Sequence, residues 1–288
     1  MNFINNSISN KIPYVNLSAQ WEDEKKDLLP IIIGVLKSGE YILGDEVEKF
    51  ELLAAKYFGV KHCVGLNSGT DALLLGLSAI GIKTGDEVIT TSNSFIASTA
   101  AIVHLGAIPI FVDVKNDQNI DPDKIKDAIT SKTKAIMPVH LTGRMSEMDT
   151  IKRMAKDYNL KVIEDAAQSA GSKYQNICSG AWGDIGCFSA HPLKNLNACG
   201  DAGFITTNHS DISQTIKLMA NHGLKDRDTV DNFGLNSRMD ALQAAILNYR
   251  IKQLPSIVDK RRKNAKIYQE LLDREHVFFP NDSESEFN

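Results

Sequence analysis

Three short stretches of this chain carry residue types that could do chemistry together. Lys194 lies in Cys187-Phe188-Ser189-Ala190-His191-Pro192-Leu193-Lys194-Asn195-Leu196. Asp165 closes the run Val162-Ile163-Glu164-Asp165, and Gln168 follows three residues later. Asn67-Ser68-Gly69-Thr70 form a small-residue turn ahead of Asp71-Ala72-Leu73. A lysine in an apolar turn is costly to bury as an ammonium. Desolvation lowers its pKa, and a neutral amine condenses with carbonyl groups. A carboxylate ending an apolar strand lies where open α/β sheets bind ligands. There it can keep a ring nitrogen protonated. A turn opening a helix points backbone N–H groups and the helix dipole at an anion. Gly69 lets that backbone approach closely.

Two further side chains could join. Ser189, five residues before Lys194 at a strand end, could offer a hydroxyl to the same anion. If a helical turn starts at Asp165, Gln168 shares its face and could donate to a phenolic oxygen. Each residue also has a plainer role. Asp165 could cap a following helix and Thr70 could be a helix N-cap. Ser189 could bond to backbone, and Gln168 and Lys194 could be solvated. Taken together, the set offers an amine for an aldehyde, a carboxylate for a pyridinium and a cradle for a phosphate. Those are the handles of pyridoxal 5′-phosphate, PLP. The turn is neither G-x-x-x-x-G-K-[ST] nor G-x-G-x-x-G, so a nucleotide P-loop or a dinucleotide fingerprint is unsupported.

The elements around these stretches alternate. Strands are predicted at 62–66, 87–91, 109–114, 135–140, 161–165, 186–189 and 204–207. Helices are predicted at 70–80, 96–105, 121–128 and 148–158 between them, and at 21–36 and 47–58 before them. This pattern implies an α/β fold: a mixed, mostly parallel seven-stranded sheet with helices on both faces. No helix is expected between the last two strands, so one of them runs antiparallel. Residues 12–20 read as extended. Helices at 239–251 and 255–272 follow the sheet, the second opened by Pro255. The division expected is an N-terminal arm (1–20), a large α/β domain (21–250) and the start of a C-terminal small domain (251–288).

The 288 residues carry 32 Lys+Arg against 36 Asp+Glu, a net charge of −4. That balance gives no reason to expect nucleic acid or an anionic membrane as partner. No apolar run approaches the ~20 residues of a membrane span, and the start lacks a signal sequence. A cytoplasmic protein is expected. The four cysteines form no C-x-x-C pair and the seven histidines do not cluster, so no metal site is expected.

With these residues together, the chain resembles the DegT/DnrJ/EryC1/StrS sugar aminotransferases, which are fold-type-I PLP enzymes. The likeness runs from about Ile12 to Leu272. It is strongest at Ser68-Gly69-Thr70, Glu164 to Gln168, Phe188 to Leu196, Gly200 to Gly203 and Gly234 to Ala245. The resemblance implies that Lys194 joins the cofactor aldehyde and shuttles the proton. It implies that Asp165 partners the pyridinium and Gln168 the ring hydroxyl, while Gly69, Thr70 and Ser189 hold the phosphate. Phe95 would stack on the ring. Asn236 would reach the phosphate of the other subunit, which implies a homodimer with shared sites. The implied substrates are an amino-acid donor, L-glutamate, and a nucleotide-linked keto sugar, in surface-polysaccharide or O-antigen synthesis.

There are departures from the family pattern. Gly200-Asp201-Ala202-Gly203 replaces the usual Gly-Asp-Gly-Gly, and Phe188-Ser189-Ala190 the more frequent Phe-Ser-Phe. Family members usually continue well past this chain's last residue, so the small domain is expected to be partial. A related branch with histidine at the position of Lys194 performs sugar dehydration. Two alternatives to transamination stay open: a PLP-dependent sugar dehydratase, or a PLP-binding regulator or inactive short form.

Overall fold

The structure is a computed structural model that describes residues 13–279 and 286–287. Two helices come first, α1 (Leu17–Ser38) and α2 (Asp45–Phe58). Strands and helices then alternate: β1 (His62–Leu66), α3 (Gly69–Ala79), β2 (Glu87–Thr91), α4 (Ile96–His104), β3 (Ile108–Val112), α5 (Pro122–Ala128), β4 (Thr133–Ile136), α6 (Met148–Asp157) and β5 (Lys161–Asp165). A hairpin of β6 (Lys173–Tyr174) and β7 (Ile177–Cys178) interrupts the pattern. It is followed by β8 (Ile185–Ser189), β9 (Gly203–Thr207), α7 (Ser210–Ala220), α8 (Ala241–Arg250) and α9 (Leu254–Leu271). A last short strand, β10 (Glu286–Phe287), pairs with β6.

The main sheet has seven strands in the order β1-β9-β8-β5-β4-β2-β3. β9 is antiparallel to both its neighbours, β1 and β8, and the remaining pairs are parallel. The expected mixed sheet is therefore present, with β9 as its reversed strand. Strands buried on both faces read as apolar runs. Ile163, Ile185 and Ile205 feed the core beneath α3, α4 and α7. Phe188 and Phe204 feed the opposite core, stacked 4.6 Å apart and packed on Phe58 of α2.

Several expectations need correction. Residues 17–20 are the first turn of α1, because Asn16 caps it by accepting from the Ala19 N–H at 3.0 Å. The rest of the 12–20 reading is coil or, at residue 12, lies outside the described residues. β4 ends at Ile136 rather than 140: Pro138 has no N–H to donate, and the chain touches β5 again only through a Val139–Asp165 bridge. α7 and the β6–β7 hairpin were not foreseen. α7 does carry Ile212, Ile216, Met219 and Ala220 at helical spacing, so its signal was present. Two-residue strands leave no periodicity to detect. Residues 281–285 and 288 of the acidic tail lie outside the described residues.

One side chain ties the sheet to its loops. Glu164 is fully buried on β5. Its Oε1 accepts the N–H groups of Trp182 (2.9 Å) and Gly183 (2.7 Å), and its Oε2 accepts that of Gly180 (2.8 Å). His140 Nε2 lies 2.9 Å from the same Oε2. The Ser146 N–H donates to His140 Nδ1 at 3.3 Å, so Nε2 carries the ring proton and donates to Glu164. Glu164→Ala would strand four buried donors. It is expected to cost more than about 3 kcal/mol, with Glu164→Gln intermediate, in urea-unfolding curves.

Candidate active site

The candidate residues gather at the carboxyl ends of the parallel strands, where the chain leaves β1, β2, β5 and β8. The turn after β1 comes first. Ser68, not Thr70, is the N-cap of α3; its side chain accepts from the Asp71 N–H at 3.1 Å. Thr70 stands exposed in the first turn. A Cβ on Gly69 would sit 2.6 Å from the Ser189 Cβ. A Cβ on Gly203 would sit 2.3 Å from the Ser68 carbonyl carbon. The absence of side chains at both glycines is what lets the turn lie against the ends of β8 and β9. Ser189 Oγ accepts from the His191 N–H at 3.3 Å, the backbone bond foreseen as its plainer role. Its own proton stays available for an anion above the turn.

Asp165 ends β5, 5% exposed. No helix follows, so its capping role is limited to one turn: Oδ1 accepts from the Ala167 N–H at 3.2 Å. Oδ2 accepts from Ser98 Oγ at 2.6 Å. Burial pushes the Asp165 carboxyl above the ordinary carboxylate range, and the Ser98 bond, the Ala167 N–H and the Lys194 charge partly offset that.

Gln168 does not reach the site by helical spacing, since the segment after Asp165 is a turn. It is held instead by the Thr142 N–H, which donates to its Oε1 at 2.7 Å. With Oε1 used as acceptor, the amide nitrogen remains as a donor. Thr142 makes this bond from φ 58°, a left-handed conformation uncommon for a β-branched residue.

Lys194 sits in a turn closed by its own N–H on the His191 carbonyl at 2.8 Å. Around it, Asn195 Nδ2 bonds the Ala170 carbonyl and Asn197 Nδ2 the Pro192 carbonyl. Burial pulls the Lys194 amine below its ordinary value, while the Asp165 charge, close enough to act on it, pushes back. Ala202 adopts no positive φ and is packed in the core, its carbonyl accepting from the Ala190 N–H at 2.8 Å.

Phe95 precedes α4 with its ring 69% exposed, and its carbonyl accepts the N–H of Ser98 at 3.2 Å. Asn236 lies beside the turn after β1: its carbonyl accepts from Asn67 Nδ2 at 3.4 Å and its Oδ1 from Arg238 Nε at 3.0 Å. Ser98, Glu164 and Thr142 were missed by sequence reasoning. The signal for Glu164 was its place beside Asp165: successive strand residues face opposite sides, so two carboxylates at one strand end need two sets of partners.

The residues present suit a phosphorylated pyridinium aldehyde. A buried carboxylate suits a cationic ring nitrogen, burial lowers the pKa of the lysine amine, and a tight turn offers N–H groups and hydroxyls. Comparison with known proteins agrees. Residues 22–286 match the DegT/DnrJ/EryC1/StrS aminotransferase family. This chain belongs to that family. It is 42% identical over 263 residues to a pleiotropic regulatory protein of Geobacillus stearothermophilus, covering 91% of this chain and 71% of that one. It is also 42% identical over 270 residues to the dTDP-3-amino-3,6-dideoxy-alpha-D-galactopyranose transaminase of Aneurinibacillus thermoaerophilus, covering 93% and 74%. Among solved structures it superposes on DesV of S. venezuelae, crystallised with a ketimine intermediate, with a TM-score of 0.93 and 35% identity; 96% of this chain and 75% of that one are covered. The fold is thus that of the family's aminotransferases. Among the described residues no helix is long and apolar enough to cross a membrane, and no acid, His and Cys cluster could hold a metal.

The pKa of Asp165 has a stability consequence. The folded state binds more protons than the unfolded state from the ordinary value of 3.8 up to the raised value. The contribution of Asp165 to stability is therefore full at low pH and is lost as pH rises through the raised value. Asp165→Asn removes the buried charge. It is expected to raise the melting temperature of the cofactor-free chain at pH 7, with the gain vanishing near pH 3, as read by calorimetry across pH.

Proposed function

We propose that this chain is a PLP-dependent aminotransferase that moves an amino group from an amino acid, L-glutamate, to a nucleotide-linked keto sugar. The reading is supported by the Gly69 turn, which lies against Ser189 at the end of β8, and by the Asp165 charge, which acts on the Lys194 amine. Bound there, PLP supplies an aldehyde for amines and a ring that accepts the electron pair left when a Cα proton departs. The chain's residues do the rest. Asp165 keeps the ring nitrogen protonated. The Gln168 amide, whose Oε1 is held by the Thr142 N–H, would donate to the ring oxygen. Gly69, Thr70 and Ser189 take the phosphate, and Phe95 covers a ring face. Lys194 would hold the cofactor through its aldehyde, and its Nζ would take and return the proton at the donor's Cα. Its lowered pKa raises the neutral fraction that this role needs.

The family relatives support the sugar substrate, since the transaminase from A. thermoaerophilus is named for a dTDP-linked amino sugar. We further propose a cytoplasmic homodimer in which Asn236 serves the partner's phosphate site. Phe233, fully exposed, and Leu235 flank Asn236 with apolar surface that a second copy would cover. The division into an arm, a large domain to residue 250 and the beginning of a small domain from 251 belongs to the same reading. It is supported by Ile267, Tyr268 and Leu271, which α9 leaves exposed.

The likeness to a pleiotropic regulatory protein favours a second reading, PLP binding without turnover. Spectra and products separate the two. PLP added to the protein is expected to give a band near ~410–430 nm that Lys194→Ala lacks, and L-glutamate to bleach it. With a keto sugar present, 2-oxoglutarate and amino sugar should form in equal amounts, falling about 10²–10⁴-fold in Lys194→Ala. A band without product would support the regulator. Absence of the band in the unaltered chain would remove the cofactor assignment.

A further inference from the structure

Ser98 is fully buried in α4. Its hydroxyl ends on the group that matters most. It lies 2.6 Å from Asp165 Oδ2, in the range of a hydroxyl bonded to an ionised carboxylate. On its other side stands Ser94 Oγ at 2.5 Å, and Ser94 Oγ is in turn 3.3 Å from the Phe95 carbonyl. We propose that Ser98, backed by Ser94, is a positioning residue: the two hydroxyls form a polarised relay that fixes the Asp165 carboxylate and keeps it ionised in a dry pocket. The role of that carboxylate toward a ring nitrogen rests on the function proposed above.

Counting protons gives the relay its direction. Ser98 has one hydroxyl proton and two oxygen neighbours. An ionised Asp165 has no proton to give, so Ser98 donates to Oδ2 and Ser94 donates to Ser98. Each hydroxyl then polarises the next toward the charge. A protonated Asp165 would reverse the order. Asp165 would donate to Ser98, Ser98 to Ser94, and Ser94 to the Phe95 carbonyl. Both orders use the contacts at 2.6 and 2.5 Å; only the reversed order also needs the longer Ser94–Phe95 contact at 3.3 Å.

The other groups around Asp165 do not replace this bond. The Ala167 N–H binds Oδ1, not Oδ2. His140 spends its Nε2 proton on Glu164. Lys194, from the connection between β8 and β9, acts on Asp165 through its charge and is itself drawn toward neutrality by burial. Cys187, on β8, is a buried thiol whose own ionisation Asp165 opposes. The relay also joins two parts of the site. Ser94 and Phe95 belong to one turn, so the hydroxyls link the exposed ring at Phe95 to the setting of the carboxylate beneath it.

The test needs no cofactor. The chain carrying ¹³C-labelled aspartate is titrated by carboxyl NMR without added PLP, and Asp165→Asn assigns the signal. Ser98→Ala is expected to raise the Asp165 midpoint by about one to two pH units, the worth of one hydrogen bond to a charged group. Ser94→Ala, which leaves the direct bond intact, should raise it by less. An unchanged midpoint in Ser98→Ala overturns the proposal. If that variant does not fold, an unchanged or lowered midpoint in Ser94→Ala does so. The PLP reading fails separately, by lack of an absorbance band when PLP is added to the unaltered chain.

Discussion

Two adjacent carboxylates at the end of β5 set the terms for this site. Strand geometry sends Glu164 and Asp165 to opposite faces of the sheet, and both are buried. Burial of a charge is costly unless hydrogen bonds replace water. Glu164 receives four donors and is spent entirely on structure. Asp165 receives two, and its pKa stays raised. The difference divides labour between neighbours in the sequence. One carboxylate anchors the 180–183 loop and the His140 ring; the other keeps unmet capacity for a cation.

The second constraint is close approach. Three strand ends and a helix start converge on the turn at Asn67–Thr70, and there is no room for side chains where they touch. Gly69 abuts Ser189, and Gly203 abuts the Ser68 backbone. The reversed direction of β9 makes this convergence possible. It brings Gly203, at the start of β9, beside Leu66 at the end of β1 and Ser189 at the end of β8. An all-parallel sheet would have placed the end of β9 there instead. The antiparallel strand is therefore part of how the anion cradle is built.

The sequence made legible the features that depend on local pattern. Strands at 62–66, 87–91 and 161–165 emerge with the expected bounds, because short β-rich runs between turn residues leave little choice. Lys194, Asp165, Gly69, Thr70 and Ser189 were singled out through the elements that end beside them. What stayed hidden depends on contacts distant in sequence. Ser98 lies 67 residues from Asp165, and nothing around Ser98 in the chain marks it as that residue's partner. Gln168 was proposed for the wrong local reason: the turn after Asp165 is not helical, and the amide is set by Thr142, 26 residues away. The β6–β7 hairpin is too short to carry a period, whereas α7 had one that went unread.

Lys194 and Asp165 form a pair that burial drives toward neutrality from both sides. It lowers the amine and raises the carboxyl, while their mutual attraction works against each shift. A ring cation beside Asp165 would stabilise the carboxylate without help from the ammonium. The lysine would then be free to lose its proton, as an amine that attacks carbonyls must. A cation that satisfies Asp165 would thus also favour loss of the Lys194 proton. By linkage, a cation that binds the folded state alone adds stability, so the cost of burying Asp165 is offset when the site is filled.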